Sequence, residues 1–433
     1  MRTLIRNIVL TPGAEGGSHL RFIKDAALQI ENNQIIFAGK ENEAPAFLPD
    51  QVIDGKGALA MPGLCNMHTH TPMTLMRSIG NDLELSRWLT EAIYPVEKNL
   101  TDDSVRVASE LGILEMIRFG TTSFNDMYMH MDMLAEATLQ SGMRALLGYG
   151  VVDFDGSGSD LIPGIEFIEK WQSCGCDRIK VSVDPHSEVS TTPAVLEKVG
   201  EVAEKYGVPI HVHVSETLSD VEGCIKRRGV RPPQYLEKLG LTKFPLIAAH
   251  CVWMDDRDIE VFNRENVLMV HNPISNLKLA SGIAPIQKML DAGCHIGLGT
   301  DGVASNNNLN LWEEMKLMAL LQKGTLLDAT AVKPAQILAA ATIEGANAMG
   351  YTNLGLLKEG YLADLILVDL NTTHVCPWND LETELIYSVQ GTDVRMTMVD
   401  GKVLYLDGEF KTLDPKEVFA HAKEQRDILL KRK

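Results

Sequence analysis

No uninterrupted apolar run in the 433 residues approaches the roughly 20 needed to cross a bilayer, so a helical membrane span is not expected. The opening Met1-Arg2-Thr3-Leu4-Ile5-Arg6 is not followed by a long apolar core or a cleavage site, which predicts a cytoplasmic protein. Positive charge is scarce as well. Against 58 Asp and Glu stand 40 Lys and Arg, a net charge of −18, and the chain ends on the basic Lys431-Arg432-Lys433. Binding a nucleic acid needs clustered cations to replace its counterions, so a small neutral or weakly charged molecule is the better partner. The seven cysteines (Cys65, Cys174, Cys176, Cys224, Cys251, Cys294, Cys376) are odd in number and lack C-x-x-C spacing. They suggest neither a disulfide framework nor a thiolate zinc knuckle, and they read as buried thiols. Internal repeats and low-complexity tracts are missing too. What remains, 45% hydrophobic and 23% charged, is an ordinary globular composition on a chain long enough for one large and one small domain.

Short apolar, β-rich segments recur at residues 59–67, 121–126, 143–151, 178–183, 208–214, 246–249, 267–270 and 295–299. Stretches of helical periodicity separate them, such as 102–119, which opens on Thr101 as N-cap and stops at Gly120. This alternation predicts an α/β fold, a TIM-like (β/α)₈ barrel. Both ends of the chain read instead as hairpin strands, at 3–10, 26–31 and 35–38 and again at 363–368, 396–399 and 402–405, with Asp400-Gly401 as a two-residue turn. The expected organisation is therefore a small β-sandwich domain from residues 1–58 plus 360–412, a barrel over 59–359, and a C-terminal helix over 413–433.

A barrel presents its chemistry at the C-terminal ends of its strands. Here the first strand ends in His68-Thr69-His70, the fourth in Asp184-Pro185-His186, the fifth in His213-Val214-Ser215-Glu216, the sixth in His250, the seventh in His271-Asn272 and the eighth in Thr300-Asp301. Alternate strand residues share a side, so His68 and His70 can both face the axis and grip one ion. Catalytic zinc takes three or more protein ligands plus water, and His213 and Asp301 can complete that shell from across the barrel. Any one of these histidines alone would read as a satisfied core or surface residue; metal-type ligands on four strand ends reverse that reading. His211 shares the face of His213 one layer deeper and takes a core role, and the role of His271 stays open.

The segments Pro62-Gly63-Leu64-Cys65-Asn66-Met67-His68-Thr69-His70, His213-Val214-Ser215-Glu216-Thr217, Ala249-His250-Cys251, Gly299-Thr300-Asp301 and Gly360-Tyr361-Leu362-Ala363-Asp364-Leu365 resemble the amidohydrolase superfamily. Two-metal members carry a carboxylated lysine at the end of strand four. This chain has Val183-Asp184-Pro185-His186 there and Lys180 lies too early, so the resemblance implies one metal, Zn²⁺ or another divalent ion, on His68, His70, His213 and Asp301. More narrowly, Arg87-Trp88-Leu89, Tyr94-Pro95-Val96-Glu97 and Pro185-His186-Ser187 are similar to 5′-methylthioadenosine/S-adenosylhomocysteine deaminases. That likeness implies hydrolytic deamination of an adenosine-type nucleoside to the inosine analogue plus ammonia. Glu216 would donate a proton to the purine ring, Asp301 would accept one from the attacking water, and His250 would orient that water. Glu97 would hold the ribose hydroxyls, Trp88 would line the pocket and His186 would contact the nucleoside, in a homo-oligomeric enzyme. On the residues alone Glu97 reads as a solvated helix carboxylate and Trp88 equally well as packing.

One departure stands out: after Leu147-Gly148-Tyr149-Gly150, where members of the family place arginines for the ribose or the substrate carboxylate, residues 151–170 contain none. Weak recognition of a homocysteine tail is expected, unless Arg227, Arg228 or Arg231 substitutes. The rival reading within the superfamily is the same machinery on guanine, a pterin or a chlorinated triazine. A non-catalytic metal-binding protein is disfavoured by Glu216, His250 and Asp301 occurring together. The H-x-E and P-C-x-x-C signature of the separate cytidine-deaminase architecture is absent.

Overall fold

A computed structural model describes residues 1–16 and 18–431. Eight parallel barrel positions follow in sequence order: Leu64–Thr69, Thr121–Tyr128, Arg144–Val151, a fourth split into Ile179–Val181 and Asp184–Pro185, then Ile210–Val214, Leu246–His250, Val267–His271 and His295–Leu298. The first four form one sheet and the last four another. Isolated bridges Val183↔Ile210 and Ser187↔His213 join the halves at one seam. At the other, Asn66 Nδ2 donates to Thr300 Oγ1 at 2.7 Å, the Thr300 N–H returns a bond to Asn66 Oδ1 at 3.0 Å, and the Asp301 N–H donates to the His68 carbonyl at 2.8 Å. Burial explains the composition of these strands: Leu64–Thr69 and Thr121–Tyr128 are buried at every position, as parallel strands covered on both faces must be. The helix Asp102–Arg118 opens on a capping box between Thr101 and Ser104, and the chain leaves it at Gly120 with φ +85°.

The first expected strand, 59–67, is two strands. Leu59–Pro62 pairs with Arg2–Leu10 and Leu365–Val368, in the terminal sheet, and only Leu64–Thr69 enters the barrel. The break falls at Gly63, where a Cβ would lie 2.2 Å from the Thr122 side chain. Both flanks are fully buried, so hydropathy alone shows no boundary.

Strands from the two ends of the chain together make a nine-stranded sheet that buries a core of its own, including Ile5, Leu28, Ile35, Leu365 and Met396. Asp400 and Gly401 are both left-handed, φ +54° and +71°, as a tight two-residue hairpin turn requires. Arg144, on the third barrel strand and 1% exposed, joins the two layers through Asp364 (2.7 Å) and Asp400 (2.7 Å). A helix, Pro415–Lys431, packs against Asp102–Arg118; Arg432 and Lys433, the end of the expected C-terminal helix, lie outside the described residues. Among the described residues no helix is long and apolar enough to cross a membrane.

Candidate metal centre and active site

Barrel closure brings the strand-end residues into one cluster. Ligand atoms of His68, His70 and Asp301 all lie within 4.8 Å of one another, and so do those of His68, His213 and His250. Asp301 Oδ1 is 3.5 Å from His68 Nε2 and 3.3 Å from His70 Nε2, while His70 Nε2 and His213 Nε2 face each other at 3.4 Å. The backbone turns sharply to aim them: Ser215, His250, Cys251 and Asp301 all have left-handed φ, between +48° and +74°, a conformation that costs non-glycine residues and concentrates at functional sites.

The donor set fits a divalent metal. His70 Nδ1 donates to the Met127 carbonyl at 2.6 Å and His213 Nδ1 to the His186 carbonyl at 2.6 Å. With Nδ1 donating, Nε2 is the atom of each ring left to ligate, and two Nε2 lone pairs at 3.4 Å repel unless they share a cation. His68 Nε2 is buried without any hydrogen-bond partner. Burial holds His68 and His213 well below the usual histidine range, which keeps them neutral as ligands must be. Three imidazoles and a carboxylate are the ligand types that zinc takes.

The carboxylates divide by environment. Burial works against the charge of Asp301, but its interactions with His68, His70 and His250 outweigh it and hold its carboxyl well below the usual range. Ser275 Oγ and Ser305 Oγ donate to its Oδ2 at 2.6 and 2.9 Å, and the Gly302 N–H donates to Oδ1 at 2.7 Å. Glu216 goes the other way: burial pushes it up to about 7, His250 opposing and Asp301 reinforcing the rise. Ser281 Oγ donates to Glu216 Oε1 at 3.2 Å. Between the two, His250 hydrogen-bonds Asn276 Oδ1 through Nδ1 at 2.9 Å and presents Nε2 3.7 Å from Glu216 Oε2. Burial lowers the His250 pKa, and Glu216, Asp301 and Asn276 together raise it above the usual value. An acid held protonated beside an ionised carboxylate is an arrangement for moving protons in opposite directions.

Two of the substrate-side candidates lie next to this cluster. A π-helical turn, Trp88–Ile93, leads into Tyr94–Glu97 and delivers Glu97, half-buried, to Tyr128, whose hydroxyl donates to Glu97 Oε1 at 2.6 Å. The Tyr128 ring lies 6.2 Å from that of His70, centroid to centroid. Burial raises the Glu97 pKa, with Tyr128 and His70 opposing. The His186 ring is 4.6 Å from that of His213, its Nδ1 2.7 Å from Ser190 Oγ. Trp88 is buried, with Nε1 donating to the Ile79 carbonyl at 3.3 Å and its ring against Gly80. His271 is buried at the end of its strand with neither ring nitrogen hydrogen-bonded.

Arg227 and Arg228 both clamp the buried Glu188, and Arg231 is held by Asp255 and Asp258, so these arginines are already paired. Lys180 Nζ bonds the Gly350 carbonyl at 2.6 Å, in a cavity of about 610 Å³ at the opposite, N-terminal end of the barrel. That cavity contains none of the clustered histidines, and the chemistry locates the site at the other end.

His211 is fully buried, as a core residue would be, yet its Nε2 lies 2.9 Å from His68 Nδ1 and its Nδ1 3.4 Å from Asp184 Oδ2. The core assignment is thus incomplete. Tyr128, Ser281 and Ser305 also escape the sequence, and Asp184, Ser275 and Asn276, which stand in strand-end segments, receive no role from it. For His211 a signal existed, its shared strand face with His213; for the others, position next to a motif was the only hint.

Residues 59–404 match the sequence profile of the amidohydrolase family. The chain is 44% identical over 384 residues to the 5-methylthioadenosine/S-adenosylhomocysteine deaminase of Dictyoglomus thermophilum, covering 88% of this chain and 90% of that one. It is 43% identical over 433 residues to the 5′-deoxyadenosine deaminase of Methanosarcina mazei, covering 99% and 98%. Among solved structures, an adenosine deaminase from Xanthomonas campestris with bound zinc superposes with a TM-score of 0.94 at 33% identity, covering 99% of this chain and 98% of that one.

Proposed function

The chain belongs to the amidohydrolase family, and from that premise we propose that it hydrolyses the 6-amino group of an adenosine-type nucleoside, giving the inosine analogue and ammonia. The candidates are 5′-methylthioadenosine, S-adenosylhomocysteine, 5′-deoxyadenosine and adenosine, the class in the names of the relatives. The observation that carries the reading is the placing of Glu216, pushed up to about 7, and Asp301, held well below the usual carboxylate range, at one cluster of imidazoles.

His68, His70, His213 and Asp301 would hold one zinc per chain. Such an ion supplies Lewis acidity and makes water a stronger acid. Glu216 holds a proton near neutral pH and gives it to the purine ring nitrogen, so that C6 becomes electrophilic. As water oxygen adds to C6, Asp301 takes the proton that water releases. His250, anchored by Asn276, steers the water and offsets the charge that develops. Asp301 passes its proton to the amino group, the C6–N bond breaks with loss of ammonia, and the C6 hydroxyl proton goes to Glu216, leaving a C6 carbonyl and the starting protonation state. Glu97 holds the ribose hydroxyls, His186 contacts the nucleoside and Trp88 walls the pocket. The net charge of −18 favours a small-molecule partner, and a cytoplasmic homo-oligomer completes the proposal.

Incubation of the zinc-loaded protein with these nucleosides tests it. Adenine absorbance should fall as one ammonia appears per nucleoside. Turnover of guanine, a pterin or a triazine with none on nucleosides would overturn the substrate class.

A further inference from the structure

Three imidazoles are offered to the metal, but only two have their ring proton fixed by a group that can do nothing but accept. His70 and His213 donate from Nδ1 to carbonyl oxygens, which leaves Nε2 free to ligate. The Nδ1 of His68 meets another imidazole, His211 Nε2, at 2.9 Å. An imidazole can donate or accept, so this contact alone leaves the His68 proton unplaced. The decision passes to the far side of His211, where Nδ1 lies 3.4 Å from Asp184 Oδ2.

We propose that Asp184 and His211 are positioning residues that set the tautomer of His68 for metal binding. Asp184 accepts from His211 Nδ1–H, His211 Nε2 then accepts from His68 Nδ1–H, and the lone pair of His68 Nε2 is left aimed at the cluster. The reverse polarity would put a proton on His68 Nε2 and close that position to a metal. This reading rests on His68 being a ligand.

The construction around the carboxyl supports it. Asp184, His211 and His68 are all fully buried, and they lie on three different parts of the barrel wall. Among the described residues neither oxygen of Asp184 makes a hydrogen bond of ordinary geometry, and the Ser182 hydroxyl is the other side chain close enough to act on it. A buried carboxyl without a partner is costly, and His211 is the partner the geometry supplies. Space for it is made by Gly148 on the third strand, where a Cβ would lie 2.0 Å from the Asp184 carboxyl carbon. The neighbouring buried carboxyl, Asp126, accepts from the Thr71 N–H through Oδ2 at 2.7 Å. Partners of ligating histidines of this kind are worth about 10- to 100-fold in metal affinity.

Metal-stripped protein titrated with zinc against a chromophoric chelator tests the relay. His211→Phe and Asp184→Ala should each weaken zinc binding by about 10- to 100-fold, whereas His211→Gln, whose amide oxygen can still accept from His68 Nδ1–H, should keep most of the affinity. Wild-type protein that binds no zinc would overturn the ligand assignment itself. Tight wild-type binding matched by His211→Phe and Asp184→Ala would overturn the relay alone. Should those variants fail to fold, ¹⁵N-histidine NMR of the metal-stripped wild-type protein decides. A His68 proton on Nδ1 supports the relay and one on Nε2 refutes it.

Discussion

Replacing Glu216 by Gln removes the proton while keeping the shape. The wild-type carboxyl, ordinarily at 4.5, is pushed up to about 7 by burial. At pH 7 about half of it is then protonated, against about one molecule in 300 for an unshifted carboxyl. The fold thus raises the acid form by about two orders of magnitude, and general acid catalysis by a placed group contributes about 10²- to 10⁴-fold. Glu216→Gln should therefore lower kcat by at least about 10²-fold. The amide still fits beside Ser281 and His250, and Glu216 is not among the proposed ligands, so zinc content should not change. Wild-type activity should fall on the alkaline side as Glu216 loses its proton, and that fall should disappear from the residual rate of the variant. Steady-state deamination kinetics over a pH series, with elemental analysis on the same samples, reads both. Loss of zinc would make Glu216 a ligand, and a drop under about 10-fold in kcat would remove it as the acid.

Tyr128→Phe removes the hydroxyl that donates to Glu97; KM for adenosine should rise about 2- to 10-fold with kcat little changed, and less for a nucleoside lacking the ribose hydroxyls. An equal effect on both substrates would show that Tyr128 does not act through Glu97. With Arg227, Arg228 and Arg231 engaged by Glu188, Asp255 and Asp258, kcat/KM for adenosine, 5′-deoxyadenosine or 5′-methylthioadenosine should equal or exceed that for S-adenosylhomocysteine, by up to about 150-fold for a missing charge-assisted contact. A clear preference for S-adenosylhomocysteine in parallel kinetics would reveal a cation that these pairings conceal. Asp364→Ala strands the buried Arg144 guanidinium and should cost about 3–5 kcal/mol in urea unfolding, leaving zinc per chain unchanged; a loss under about 1 kcal/mol would mean water reaches the pair.

The proposed ligands stand out in the sequence because each lies at the end of an apolar run, where a barrel has to expose chemistry. The H-x-H of His68 and His70 and the Gly299-Thr300-Asp301 turn carry their own spacing. The boundary at Gly63 was not legible, because Leu59–Pro62 and Leu64–Thr69 are equally apolar and only the cross-chain pairing with Leu365–Val368 separates them. Tyr128 ends a strand that is buried throughout, so its ring looks like core; its hydroxyl has a function only because a helical turn 31 residues earlier returns Glu97 to it. Asn276, Ser275 and Ser305 hold His250 and Asp301 from the short helices Pro273–Lys278 and Val303–Asn306, too short to show a periodicity in the sequence. In His211 the period of two was visible, but the deeper layer of a barrel is normally apolar, and the buried Asp184 that gives the ring its purpose lies 27 residues away.

Titration of zinc into metal-stripped protein, with adenosine-type turnover measured at each addition, tests the central claim most directly. Activity should start near zero, rise linearly and saturate at about one zinc per chain, as a site of three histidines and one aspartate requires. Saturation at two metals per chain, or full activity in protein that elemental analysis shows to hold none, would contradict it.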